Sequence, residues 1–583
     1  MFMLLAVTFV TLYLLLPDDL NQYGQLLSHT VIFAANIFLS NEKGYFDPEG
    51  LESPLMHVWS LAVEEQYYLI WPLLLFGSFQ ALKRRHLIVV VVVLCCVSLF
   101  YSEWASFFSP KEAFFGLPSR AFELLIGAGL AVVNQQPMRA QIVAEALSIC
   151  GLVLICLGLL LISEKSRFPG TAALIPCSGA ALLMLSGGRG TKTFVERLLS
   201  SSVFVQLGQI SYSWYLWHWP PLAFIRYYFE RPLTGLEVAI ALAVGFCLAI
   251  ISWRFVERPF RRPGTPAEFR RAFLPMAICS SIVLLGLGTA VQSLNGIPLR
   301  MGKDAQAMLN EFRRDTAQGC DNTLKKGGYL NECVFGEAEA AGPSIMLWGD
   351  SHAEHYLPAI AKIATAHGTK GMARIHSDCR PFIAPEAIDR RTPRRRSCPK
   401  ANEATLAKLL SQADISVVIL AARWDARESA PGQVQELEVF QRNLERTLVA
   451  LEQNGKKVIV LGQVPLLARS LKSCLTKQVR FGLKIPHCVG ISKDVADSYD
   501  TGILNSMQIL RQKHDKAIFF APRKYFCDGS VCRVVDAQGR PLYMDDDHLN
   551  VRGAFFLEPY IDEAITPFLR SSHLPRIIQT AVP

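Results

Sequence analysis

Apolar residues crowd the first half of the chain and thin out in the second. Runs of apolar residues able to cross a bilayer, which takes about 17–25 residues, fall near 1–16, 58–79, 86–103, 117–134, 141–163, 168–187, 203–227, 235–256 and 271–292. A shorter run near 26–40 carries His29 and Asn36 and reads as interfacial. Beyond residue 343 the rhythm changes. Short apolar runs, "SIMLWG" (344–349), "GMARIH" (371–376), "ISVVILAARW" (415–424), "KKVIVLGQV" (456–464) and "AIFFAP" (517–522), alternate with helix-like stretches near 352–366, 401–413, 436–454 and 492–513. Runs apolar on both faces predict buried parallel strands, and their alternation with helices predicts a three-layer α/β/α domain. The expected fold is a multi-pass α-helical membrane domain followed by an α/β domain with a parallel sheet. Between them, residues 293–342 read as a polar connector.

Composition supports this division. Of 583 residues 51% are hydrophobic, with mean hydropathy +0.25, too apolar for a soluble chain and too charged for one that is all membrane. The net charge of +9 does not predict a nucleic-acid partner, because many basic residues lie in short loops between apolar runs. Lys83, Arg84 and Arg85 follow the second run, Arg189, Lys192 and Arg197 the sixth, and Arg261, Arg262, Arg270 and Arg271 the eighth. With nine spans these loops share one side, which basic loops mark as cytoplasmic. The C-terminal half then lies outside, in the periplasm of a Gram-negative cell. The start "MFMLLAVTFVTLYLLLP" lacks a basic leader region and reads as a membrane helix, not a cleaved signal.

The cysteines divide in the same way. Cys95, Cys96, Cys150, Cys156, Cys177, Cys247 and Cys279 lie in the apolar half and read as small buried residues. Cys320, Cys333, Cys379, Cys398, Cys474, Cys488, Cys527 and Cys532 lie beyond it. An even number in near-neighbour pairs suits disulfides in an oxidising compartment, and the simplest pairing joins each to its neighbour. No CxxC pair is present, so no metal site is expected.

Polar residues inside the spans are expensive and point to a site. "HVWSLAVEEQYYLIWP" carries His57, Glu64, Glu65 and Gln66. "PSRAFELLIGAGLA" sets Arg120 and Glu123 on one helix face. "SYSWYLWHWPP" carries His218, and "WRFVERPFRR" carries Glu257 and Arg258. Glu64, Glu65, Arg120, Glu123 and His218 are the candidates for a polar membrane site. These stretches, in this order and spacing over 1–262, resemble the acyltransferase-3 family of integral membrane acyltransferases. The resemblance implies transfer of an acyl group, typically acetyl, from cytoplasmic acetyl-CoA to a surface or secreted carbohydrate, with no bound cofactor. Family members begin with two further helices, the first bearing a histidine for acyl handling. This chain starts at what would be the third, so a misplaced start is expected. The layout is then a truncated membrane domain (1–262), an extra membrane helix (263–292), a periplasmic linker (293–342) and a soluble domain (343–583).

The chemistry of the soluble half starts at "LWGDSHAEHY". Ser351 follows the first strand, and α/β sheets place their sites at strand C-terminal ends. A serine hydroxyl needs a base to take its proton, and a strand-to-helix turn supplies backbone N–H groups for an oxyanion. "MDDDHLNVRGA" supplies Asp545 and His548, with Asp546 or Asp547 as alternatives to Asp545. His352 and His355 read as packing or lining the cleft. Gly-Asp-Ser after a first strand with Asp-x-x-His near the end of the domain resembles the SGNH hydrolase superfamily of esterases and acyl transferases over 343–570. By that resemblance Ser351 is the nucleophile, His548 the general base and acid, and Asp545 its orienting partner. The superfamily's further oxyanion donors, a glycine and an asparagine at the next two strand ends, are replaced by Ser377 and by Arg423 with Trp424. The N–H groups of Ser351 and Ser377 are expected to serve, with Arg423 adding charge or Trp424 stacking on a sugar.

A membrane acyltransferase, one extra span and an external SGNH domain together resemble fused O-acyltransferases of O-antigen and related glycans. The expected protein sits in a bacterial inner membrane. Its partners are acetyl-CoA and a surface-glycan or lipid-linked oligosaccharide acceptor. An anchored esterase and a transporter of acyl donor or glycan are the rivals, and the nine spans with internal charges favour transfer.

Overall fold

The computed structural model describes residues 1–41, 50–81, 84–132, 140–163, 166–187, 193–261, 274–312, 325–327, 330–340, 342–385, 393–424, 433–467, 470–483, 485 and 488–570. It divides into two compact units, Met1–Arg300 and Met301–Pro583.

The first unit is helical. Among the described residues five helices are long and apolar enough to cross a membrane: His86–Phe108, Pro110–Val132, Gln141–Leu161, Gly235–Phe260 and Leu274–Ser293. All five overlap runs read from the sequence as spans. Phe2–Leu14 and Gly170–Ser186 are apolar but shorter. Trp59–Ala81 and Ser202–Phe229 are long, but Glu64 and Glu65 in one and a Tyr, Trp and His run in the other leave them outside the five. Large apolar side chains such as Phe9, Leu69, Ile142, Leu159 and Leu160 are more than two-thirds exposed, the pattern of helices that face lipid. The stretch read as interfacial falls in Pro17–Val31 and Ala35–Asn41. Pro17–Val31 packs against Leu274–Ser293 at Gly24 and Gly288. A Cβ on Gly288 would meet the Gly24 carbonyl oxygen at 2.9 Å as well as Ser28 Oγ, so a larger residue would push the helix backbones apart. The last apolar helix is therefore part of the membrane unit.

The second unit is α/β. Its strands are β1 (Lys325–Gly327), β2 (Leu330–Gly336), β3 (Pro343–Gly349), β4 (Lys370–His376), β5 (Val417–Ala421), β6 (Lys457–Leu461), β7 (Gly490–Ser492), β8 (Ile518–Phe520), β9 (Cys527–Asp528) and β10 (Val531–Arg533). Seven form one sheet in the order β1-β2-β4-β3-β5-β6-β8, and β7, β10 and β9 form a small second one. The five strands read from apolar runs pair in parallel, β4-β3-β5-β6-β8. β2 pairs antiparallel with β4, so the sheet is mixed and not wholly parallel. The connector read over 293–342 is likewise corrected: it contributes helix Lys303–Glu311 and the β1–β2 edge of the sheet.

Alternate residues of each strand face opposite layers. Ile345 and Leu347 of β3 pack with helices Ser351–Ala366 and Val551–Arg570 through Tyr356, Ile360, Leu557 and Ile561. Met346 and Trp348 pack on the other face with Leu409, Leu444, Leu448 and Leu510. Both faces are covered, which is why these strands read as continuous apolar runs and why the three-layer expectation matches.

Candidate active site

Gly349 closes β3 beside β5, where a Cβ would lie 1.6 Å from the Ala421 carbonyl oxygen. No other residue fits so close an approach. Asp350 then caps helix Ser351–Ala366, its carboxylate accepting the His352 N–H at 2.8 Å. The same carboxylate accepts the Arg423 N–H from the end of β5 at 3.0 Å. Asp350 is buried. Burial raises its carboxyl above the ordinary value, while His352 and the two N–H groups oppose that rise. Ser351 therefore stands at the first position of a helix whose turn is tied to the neighbouring strand.

The loop before helix Val551–Arg570 brings His548 to this serine. His548 Nε2 lies 2.8 Å from Ser351 Oγ. Its Nδ1 lies 2.9 Å from Asp545 Oδ2 and 2.7 Å from Asp547 Oδ1. The structure thus brings Ser351, His548 and Asp545 together and adds Asp547, which the sequence offered only as an alternative. Asp545 also accepts the N–H groups of Asp547 and His548 at 3.0 and 2.7 Å, shaping the loop. Burial disfavours charge on His548, but hydrogen bonds to Asp545 and Asp547 outweigh it and push the ring up to about 10. Burial also acts to raise Asp547, yet the neighbouring rings of His352 and His548 hold its carboxyl well below the usual range. Such a constellation can deprotonate a hydroxyl and stabilise the imidazolium that results.

The remaining candidates fall in different places. Arg423 Nη1 lies 2.9 Å from Asp547 Oδ2, so its guanidinium serves that carboxylate. Trp424 is fully buried. Its Nε1–H donates to the Leu461 carbonyl at 2.8 Å, and its ring packs by Phe382 and Phe440. The expectation of a stacking platform for sugar is corrected, because no face of the ring is open. Ser377 stands half-buried at the end of β4, next to the Cys379–Cys398 disulfide. His352 contributes a ring 4.6 Å from that of His548, with Nε2 3.6 Å from Asp547 Oδ2. His355 accepts the Leu549 N–H at 3.4 Å and is held neutral by burial, reinforced by His352 and His548. Ring nitrogens of His352 and His548 and an Asp547 oxygen lie within 4.8 Å of one another, a spacing a cation could bridge. Arg423 already places a positive charge on that carboxylate, which makes the set a poor metal site.

The other cysteine pairs are Cys474–Cys488 and Cys527–Cys532. Cys333 is disulfide-bonded, and Cys320 lies outside the described residues. In the membrane unit Arg120 pairs with Glu123 at 3.3 Å and lies over the rings of Trp59 and Phe114. Glu64 is partly buried and Glu65 exposed. His218 donates from Nδ1 to the Tyr215 carbonyl at 2.6 Å and faces the buried His57 at 5.5 Å between ring centres. Among the described residues no hydrogen bond or ion pair joins Arg120 and Glu123 directly to Glu64, Glu65 or His218. Glu257 pairs with Arg261 at 2.6 Å.

Residues 1–254 match a family model described as an acyltransferase domain, and residues 319–563 one described as an SGNH domain fused to AT3 domains. A Staphylococcus aureus (strain COL) protein with a provisional O-acetyltransferase name is 25% identical over 314 residues, 52% of each chain. The peptidoglycan O-acetyltransferase OatA of Listeria monocytogenes serovar 1/2a (strain EGD-e) is 29% identical over 240 residues, 39% of this chain and 38% of that one. The chain thus spans about half, or less, of the length of these curated relatives. The solved periplasmic domain of a lipopolysaccharide acetyltransferase from Salmonella ser. Paratyphi A is similar at 17% identity and a TM-score of 0.30, over 40% of this chain and 85% of that one.

Proposed function

The chain belongs to the fusions of an acyltransferase-3 domain, here residues 1–254, with an SGNH domain, here residues 319–563, and on that premise we propose that it is an O-acyltransferase of a bacterial cell-surface polysaccharide. The acyl group is acetyl, drawn from acetyl-CoA, and the acceptor is a glycan of the O-antigen type. The membrane unit passes the acyl group across the inner membrane, and the second unit works in the periplasm.

The observation that carries this reading is the 2.8 Å contact of Ser351 Oγ with His548 Nε2, backed by carboxylates on Nδ1. In the proposed reaction the neutral ring takes the Ser351 proton as Oγ attacks the acyl carbonyl. The donor leaves with that proton, and the acyl group rests on the serine. A sugar hydroxyl then attacks the acyl-serine, giving its proton to His548, and the ester moves to the sugar as the serine is regenerated. The N–H groups of Ser351 and Ser377 face the developing oxyanion.

The test is the O-acetyl content of purified surface glycan from cells carrying the wild-type chain or Ser351→Ala. Loss of acetylation in the variant, at normal protein levels, is expected. Near-normal acetylation would refute the role of Ser351, and acetylation higher in the variant than in the wild type would mean that the site removes acyl groups.

A further inference from the structure

We propose that His218 is the general base of an acyl-transfer centre inside the membrane unit and that His57 is the positioning residue behind it; this rests on the acyl-passing role proposed above for that unit. The two rings lie 5.5 Å apart between centres and nearly perpendicular. Each presents one uncommitted basic nitrogen, and the sequence shows how.

Helix Ser202–Phe229 carries Pro220 and Pro221 in its interior. Pro220 has no N–H, so the Leu216 carbonyl one turn back loses its helical partner. His57 Nε2 lies 3.2 Å from that carbonyl oxygen. A carbonyl only accepts, so Nε2 carries the proton and Nδ1 of the neutral ring is a bare lone pair. His57 Nδ1 is buried and has no hydrogen-bond partner among the described residues. His218 is set in the same way with the nitrogens exchanged. Its Nδ1 donates to the Tyr215 carbonyl at 2.6 Å, which leaves Nε2 bare. His57 is 2% exposed and His218 half-buried, so His218 is the ring a ligand can reach.

The backbone on both sides is fixed. The turn Met56–Val58 is pinned to the helix, because the Tyr215 hydroxyl donates to the His57 carbonyl at 2.5 Å and Trp219 Nε1–H to the Ser53 carbonyl at 2.8 Å. Behind His218, helix Gly235–Ser252 approaches through Gly245, where a Cβ would meet the Trp217 carbonyl oxygen at 2.8 Å and His218 Cα at 3.2 Å. A histidine used only for packing has both nitrogens satisfied when buried. Among the described residues no third His, Cys, Asp or Glu stands with the pair as a further ligand, so the chemistry they fit is that of a base.

The ligand is an acyl thioester with an attacking hydroxyl. The hydroxyl oxygen bonds to the acyl carbon as its proton passes to His218 Nε2. The carbon–sulfur bond then breaks, and the sulfur takes that proton back. One ester and one thiol leave, and both rings end neutral. While His218 is charged, the adjoining neutral ring of His57 supports it.

His57→Gln and His218→Asn suit the test, because each amide can still donate to the Leu216 or Tyr215 carbonyl and only the bare nitrogen is lost. Membranes from cells that hold the glycan, containing the full chain, are given acetyl-CoA labelled in its acetyl group. Hydrolysis of a small activated acetyl ester is followed in the same membranes. His218→Asn is expected to label glycan about 10²–10⁴-fold more slowly, the usual worth of a general base, and His57→Gln to lose a smaller part of this. Ester hydrolysis, which rests on Ser351, is expected to persist in both. Labelling by His218→Asn within about threefold of wild type would overturn the assignment. Nitrogen NMR of the wild-type histidines reads the tautomers without any variant that has to fold. A proton on His57 Nε2 and on His218 Nδ1 is expected, and the opposite tautomer in either ring would overturn the proposal. In His57→Gln the His218 Nε2 signal should move while Nδ1–H stays, and an unmoved signal would remove His57 from the centre. Wild-type membranes that hydrolyse the ester but label no glycan would instead defeat the reading of the membrane unit, and this assignment with it.

Discussion

Replacing Asp350 by alanine strikes the joint on which the nucleophile turns. The carboxylate caps helix Ser351–Ala366 through the His352 N–H and also receives the Arg423 N–H from β5. Losing a capping side chain costs about 0.5–2 kcal/mol. Leaving the Arg423 N–H without an acceptor in the interior costs about 1–3 kcal/mol more. Relief of the buried carboxylate's own desolvation offsets part of this, so roughly 1–4 kcal/mol should remain. The loss is local, and a local readout suits a chain of two units: hydrogen exchange of a peptide covering 347–360. At about 1.4 kcal/mol per tenfold, exchange there should quicken roughly 5- to 700-fold while peptides of helix Gln141–Leu161 are unchanged. Hydrolysis of an activated ester should fall with it, because Ser351 Oγ no longer holds its place by His548. Asp350→Asn keeps one acceptor oxygen and should show less than about tenfold of the exchange effect. Unchanged protection in Asp350→Ala would mean that helix and strand are held by packing alone and that the cap has no part in placing the serine.

Ester hydrolysis should climb with pH through neutrality and keep climbing above the free-histidine value of about 6.5, because the base works neutral and Asp545 with Asp547 push His548 up to about 10; a plateau reached by pH 7 would contradict this. The same group should stabilise the fold fully below about pH 6.5 and lose that contribution as pH rises through the folded value, which alkaline thermal melts can follow. Trp424→Ala should destabilise the second unit by about 3–5 kcal/mol through the cavity it leaves, and its glycan affinity, measured on protein that stays folded, should be unchanged; weakened binding would restore a sugar-stacking role. Non-reducing peptide mapping should find Cys379–Cys398, Cys474–Cys488 and Cys527–Cys532, and free thiols at these positions would contradict the structure.

The sequence showed most clearly what is local and strongly patterned. β3, β4, β5, β6 and β8 stood out because each is covered on both faces and so is apolar throughout. β2 did not, because it alternates: Cys333 and Phe335 are buried while Glu332 pairs with Arg374 and Lys408. Set in a polar connector, that alternation carried little signal. Ser351 and His548 were legible from their short motifs. The part played by Arg423 was not, because its meaning lies in a contact with Asp547, far along the chain. Trp424 looked available at a strand end, and only the packing of Phe382 and Phe440 shows that it is enclosed. In the membrane unit hydropathy marked the long apolar helices, but how Glu64, Glu65, Arg120, Glu123 and His218 are arranged depends on helix packing that hydropathy does not carry.

The Cys379–Cys398 bridge has a consequence for timing. It fastens the turn after β4 to helix Pro393–Ser411, where Asn402 donates to the carbonyls of Arg380 and Phe382. Ser377, a proposed oxyanion donor, opens that turn. A newly made chain whose thiols are still reduced would possess its serine and histidine but lack a firm wall opposite them. Competence would then follow oxidation instead of synthesis. For an enzyme proposed to draw on a cytoplasmic acyl pool and to spend it outside, such a delay would act as a safety catch, arming the proposed ester chemistry only after export.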